Sequence, residues 1–95
     1  MQNNRIHELL QIFKAMANKN RLLILDNLLN NEMNVSELAS MLDVQQSNAS
    51  HDLAILRESG LISMRKNGKH RIAMVNKKTI EAFFQTANTH LNIEE

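Results

Sequence analysis

The sequence predicts a mainly α-helical domain carrying one small β-hairpin near its C-terminal end. Three observations carry this. Apolar residues recur at helical spacing in several separate stretches, the two glycines, Gly60 and Gly68, sit close together late in the chain, and the segments on either side of Gly68 alternate apolar with polar residues. With 95 residues, no Pro, no Cys and no internal repeat, the chain is expected to be one domain over 1–95. A chain of this length buries only about 60 to 65% of its unfolded surface, so a second copy is an expected source of further core.

The elements follow in order. Ile6, Leu9, Leu10, Phe13 and Met16 form one stripe of a first helix. Asn18 or Asn20 is placed to cap a second helix through Asn30, and its Leu22, Leu23, Ile24, Leu25, Leu28 and Leu29 cover more than one face, which predicts the most buried helix. Asn34 followed three residues later by Glu37 is a capping-box pattern for a short third helix with Leu38, Ala39, Met41 and Leu42, ending near Asp43. A fourth helix begins near Gln45 or Gln46 and runs to Ser59, with Ala49, Leu53 and Leu56 inward and Gly60 as its stop. Two helices joined this tightly are a helix-turn-helix candidate.

The hairpin joins residues 61–66 to residues 70–75 around Asn67 and Gly68. A loop made of Asn67 and Gly68 alone would set Met64 against Arg71. A loop of residues 67–69 sets Ile62 with Met74 and Met64 with Ile72, and is the expected register. Arg65 then lies across from Arg71 on the other face, near Ser63, with Lys69 at the tip. Asn76 caps a last helix striped by Ile80, Phe83, Phe84, Ala87 and Leu91. The order of four helices, hairpin and closing helix is that of a winged helix-turn-helix with extra helices at both ends. Met16, Met41, Met64 and Met74 are expected as core filler. The stripes Ile6, Leu9, Leu10, Phe13 and Ile80, Phe83, Phe84, Ala87, Leu91 are the expected dimer interface.

Charge distribution points to the partner. The net charge is only +1, but residues 61–80 hold Arg65, Lys66, Lys69, Arg71, Lys77 and Lys78 without an acid, leaving the rest of the chain acidic. Like charges opposed across a hairpin are unfavourable unless an anion normally lies against them. At the start of the fourth helix Gln46, Ser47, Asn48, Ser50 and His51 form a polar cluster suited to base edges in a major groove about 12 Å wide. The expected partner is double-stranded DNA, with Arg65, Lys66, Lys69 and Arg71 on the backbone. Catalysis is not expected. There is no glycine-rich phosphate loop, and Asp52 is rotated about 100° from the face shared by Ser47 and His51, so the three do not form a triad. No apolar run approaches a membrane span or a secretory signal, so a cytoplasmic protein with no membrane association is expected.

Lys14-Ala15-Met16-Ala17-Asn18, Arg21-Leu22, Ile24-Leu25, Val35-Ser36-Glu37-Leu38-Ala39, Gln46-Ser47-Asn48-Ala49-Ser50-His51, Leu53 and Leu56-Arg57-Glu58-Ser59-Gly60-Leu61-Ile62 with the wing that follows resemble the ArsR/SmtB family of bacterial transcriptional repressors. The resemblance covers roughly residues 12–75. It implies a homodimer with one winged helix per protomer, bound to an imperfect palindrome in a promoter. Family patterns place a Ser or Thr where Gln45 stands, so Ser47 is expected to cap the fourth helix. The family's metal sensors do not carry over. No cysteine flanks Val35; the Asp-x-His pair of the last helix falls at Lys77 and Thr79; and of its His-x-x-His pair only His90 is present, with Ile93 at its partner's place. No metal and no cofactor are expected, and the chain looks like the metal-independent, HlyU-like branch without that branch's cysteine pair. The rival reading is a protein-interaction or antirepressor module that displaces another regulator. The sequence names no small-molecule effector.

Overall fold

The computed structural model describes residues 3–92. Helix α1 (Asn3–Met16) ends where Asn18 turns extended, and the Asn18 side chain accepts the Arg21 amide at 3.0 Å to start α2 (Lys19–Leu28). A short strand β1 (Met33–Asn34) leads into α3 (Val35–Leu42), whose Asn34–Glu37 capping box is complete in both directions. Asp43, in the left-handed region at φ 56°, stops α3. Helix α4 (Gln46–Glu58) follows almost at once.

Gln45 is the N-cap of α4 and its side chain makes no capping bond. Ser47, expected to cap, lies inside the first turn, where its own amide is one of the donors a cap would satisfy. At the other end Gly60, at φ 82°, donates to the Arg57 carbonyl while Leu61 donates to that of Leu56. This is the paired closure that favours glycine after a helix.

The sheet is larger than a hairpin. Strands β2 (Ile62–Asn67) and β3 (His70–Val75) are joined by β1, giving the antiparallel order β1-β3-β2. The register also differs from the expected one: Ile62 pairs with Val75, Met64 with Ala73, Arg65 with Ile72 and Lys66 with Arg71. The loop is Gly68 and Lys69, with Gly68 at φ 64° in the first central position, where a tight hairpin turn demands a positive φ. Because β1 sets Met33 against Ala73, the inner face of the sheet is Met33, Ile62, Met64, Ala73 and Val75. Ile72 and Met74, expected inward, lie half-buried on the outer face. Ala73, which carries little weight in an apolar pattern, is fully enclosed.

Helix α5 (Lys77–His90) is capped by Asn76, which accepts the Thr79 amide. The core gathers Ala15 of α1, Ile24, Leu25 and Leu28 of α2, Leu38, Leu53, Leu56, Ala73 and Ile80. Three expectations change here. Leu22 and Leu23 are 37% and 38% exposed, so α2 is buried along one face only, and Met41 is exposed beside the core rather than filling it. Ile80, expected at a dimer interface, has no exposed surface. Among the described residues no helix is long and apolar enough to cross a membrane.

Candidate nucleic-acid interface

Helix α4 is held by its apolar face and by one shielded ion pair. Ala49, Leu53 and Leu56 sink into the core. Asp52, one residue round the helix, accepts Arg21 Nη1 at 3.0 Å, while Arg21 Nε donates to the Ala15 carbonyl at 2.6 Å and Nη2 to that of Lys14. The two side chains are only 14% and 13% exposed, so solvent screens them weakly. One guanidinium therefore fixes α4 against α2 and the end of α1. Sequence reasoning missed this pair, because its members lie 31 residues apart and nothing local marks either one.

With its inner face pinned, α4 presents Gln46, Ser47, Asn48 and His51 to solvent, whereas Ser50 is half-buried and faces the wing. Gln46 Nε2 donates to Ser36 Oγ at 2.8 Å, which ties the first turn of α4 to α3 while Gln46 stays exposed. Ser36 was not among the expected site residues. Ser36, Gln46, Ser50, Lys69, His70 and Arg71 line one cleft of about 210 Å³, so the polar start of α4 and the tip of the wing form a single surface.

The wing cations do not behave alike. Arg65 lies opposite Ile72, not Arg71, and its Nη1 is bound to Glu32 at 2.8 Å and lies 2.9 Å from Met74 Sδ. The opposed like charges are instead Lys66 and Arg71. Among the described residues, Lys66, Lys69 and Arg71 make no ion pair.

The terminal helices share a second surface. The Phe13 and Phe83 rings meet edge to face with centroids 6.5 Å apart. Around them Ile6, Leu10, Phe13 and Leu91 are 48%, 48%, 52% and 63% exposed, Ala87 is exposed, and Leu9 and Phe84 are half-buried. Among the described residues no three His, Cys, Asp or Glu side chains converge as metal ligands. His90 ends α5 on the same face as Phe83, and Ile93 lies outside the described residues.

Comparison with known proteins bears on what these surfaces are. Residues 18–64 match the family described as bacterial regulatory protein, arsR family. The transcriptional activator HlyU of Vibrio cholerae is 40% identical over 74 residues, covering 78% of this chain and 68% of the relative. The biofilm growth-associated repressor of Agrobacterium fabrum is 34% identical over 68% of this chain, which spans only 56% of that protein's length. Among solved structures, HlyU from Vibrio cholerae superposes with a TM-score of 0.79 at 36% identity, covering 94% of this chain and 96% of that one. NolR from Sinorhizobium fredii gives 0.85 at 27% identity over 99% and 100% of the two chains. The homodimeric winged helix-turn-helix domain Mb0332 from Mycobacterium bovis also gives 0.85, at 23% identity over 97% of this chain and 88% of that one, a likeness of fold.

Proposed function

The chain belongs to the arsR family of bacterial regulatory proteins, and from that premise we propose that it is a homodimeric repressor that occupies a palindromic operator in double-stranded DNA. The observation that carries this reading is the single surface formed by the polar start of α4 and the free cations of the wing. The first turns of α4 enter the major groove, where Asn48, Ser47, His51 and the amide oxygen of Gln46 read base edges. Lys66, Lys69 and Arg71 hold backbone phosphates and set register without carrying much sequence information. Arg65 contributes less, since Glu32 already neutralises it.

Dimerisation uses the exposed terminal stripe of Ile6, Leu10, Phe13, Ala87 and Leu91 with Leu9, Phe83 and Phe84, and Ile80 supports it from inside the core. No metal sensor operates, and the protein acts in the cytoplasm without a membrane partner or a catalytic step. Selection from a pool of random duplexes tests the assignment. Recovery of two symmetric half-sites one helical turn apart, about 10 base pairs, supports it; recovery of no motif contradicts it.

A second output rests on one observation, that the relative 40% identical in sequence bears the name of an activator. Activation by displacing another regulator uses the same surface on DNA. A promoter reporter separates the two, falling when this protein alone is supplied if it represses and rising only with the competing regulator present if it displaces.

A further inference from the structure

The register of the wing has a consequence for Arg71. Lys66 and Arg71 share the sheet face of Met64, Ala73 and Val75, so Arg71 continues the inner face past the core and points toward α4. There it meets the ridge of α4 formed by Ser50, Ala54 and Arg57, which recur at intervals of four and three residues and so share one side of the helix. Between ridge and wing runs a trough of about 200 Å³ with Leu53 and Met64 at its apolar floor and Arg57 and Arg71 on its walls. It continues into the cleft at the wing tip, with which it shares Val35, Ser50 and Arg71 and which adds Lys69 and His70. Among the described residues no carboxylate lines either part.

Arg21 and Arg65 are each committed to a carboxylate, at 3.0 and 2.8 Å. Among the described residues, Arg57 and Arg71 make no ion pair and their side chains make no hydrogen bond. Two free guanidinium groups facing one trough repel each other until an anion lies between them, and their planar donor forks match the oxygens of a phosphate. The geometry of a duplex supplies one. A helix in the major groove and a wing reaching the neighbouring minor groove are separated by one sugar–phosphate strand, which must pass through the space between them.

We propose that the trough between α4 and the wing is a phosphate site in which Arg57 and Arg71 clamp one oxyanion from opposite sides, with Ser50 as a further donor. This rests on the reading of the chain as a DNA-binding regulator as far as the source of the phosphate is concerned. The site accounts for Arg57, a helix residue outside the base-reading turn, as a positioning residue that fixes how deeply α4 sits in the groove.

The test has two arms, both on the full chain. In the first, binding of a 30-base-pair duplex is followed by fluorescence anisotropy across a salt series for the wild type and Arg57→Gln. Loss of one phosphate contact per protomer lowers the salt slope by about 0.9, or about 1.8 for a dimer, so the wild type loses roughly tenfold more affinity than the variant over a fourfold rise in salt. In the second, inorganic phosphate is titrated at constant ionic strength while the Nε–H resonances of Arg57 and Arg71 are followed by NMR. A reduced slope without a response to inorganic phosphate assigns the site to the DNA backbone, and a reduced slope with saturable shifts at both arginines shows that it also takes the free ion. If the wild type binds no DNA, the regulatory reading fails and the second arm alone decides. Saturable shifts at both arginines that Arg71→Gln abolishes keep the site with free phosphate as its occupant, and their absence overturns it. An unchanged slope in Arg57→Gln, with the wild type binding DNA, also overturns it.

Discussion

Arg21 in α2 and Asp52 in α4 form an ion pair of 3.0 Å whose guanidinium also donates to the Ala15 and Lys14 carbonyls. Helix α4 is thus tied to the end of α1 through one side chain. Removing one partner leaves a largely shielded charge without its counterpart, which costs more than the pair contributes when intact. Asp52→Ala is expected to lower the free energy of unfolding by about 2 kcal/mol in urea denaturation at fixed protein concentration, the order found for hydrogen bonds to charged groups. A change below about 0.5 kcal/mol, the range of an exposed pair, would show the link to be incidental.

The unsatisfied start of α4 offers a gain. Gln45 holds the extended conformation of an N-cap, at φ −69° and ψ 151°, but supplies no capping bond. Gln45→Ser is expected to stabilise the protein by about 0.5 to 1 kcal/mol, read from the urea midpoint, whereas Asn34→Ala breaks the capping box of α3 and costs about 1 kcal/mol. Equal effects of the two changes would contradict this account of the helix starts.

Wing cations should separate by their partners. Lys69→Ala and Arg71→Ala are expected to weaken binding to every duplex alike and to lower the salt slope by about 0.9 per protomer each, since free cations release counterions on contact with phosphate. Arg65→Ala should change the slope by less than half as much, because Glu32 already holds that guanidinium. A slope loss for Arg65→Ala equal to that for Lys69→Ala would place Arg65 on DNA after all.

The exposed stripe of the terminal helices predicts the state of assembly. Leu10 is 48% exposed, so Leu10→Glu leaves the core of one chain intact while placing a charge on the stripe. Sedimentation is expected to show a dimer for the wild type and a monomer for Leu10→Glu with unchanged helical circular dichroism. Phe83→Glu should give the same result with a larger loss of stability, because Phe83 also packs on Phe13. A dimer that survives both substitutions would move the interface elsewhere.

The helices were legible in sequence because each carries its own local signals. Asn18, Asn34 and Asn76 cap where their positions suggested, and Gly60 closes α4 as expected. The wing was harder. Apolar alternation favoured Ile72 and Met74 as inward residues, but the inner face belongs to Ala73 and Val75. Two facts decide it: β1 pairs with the far edge of β3, which no local pattern records, and Gly68 takes the first loop position with a positive φ, a turn signal that the apolar alternation outweighed. That shift of register also moved Arg71 from a supposed partnership with Arg65 to the trough facing Arg57. Gln46, Ser47, Asn48 and His51 were readable as an exposed polar turn, whereas Ser36, Arg21 and Asp52 bear on that turn only through long-range packing.

Base reading by the first turns of α4 and phosphate holding by the wing are separated by a salt series with two duplexes. One carries the DNA upstream of the protein's own coding sequence, the other the same bases scrambled, and the wild type is compared with Asn48→Ala. The wild type is expected to prefer the upstream duplex, with a slope near −5 for the roughly six phosphates that Lys66, Lys69 and Arg71 hold per dimer, and Asn48→Ala is expected to lose the preference while keeping the slope. A wild type that binds both duplexes equally, or a variant that keeps the preference and loses slope, would contradict this division of roles.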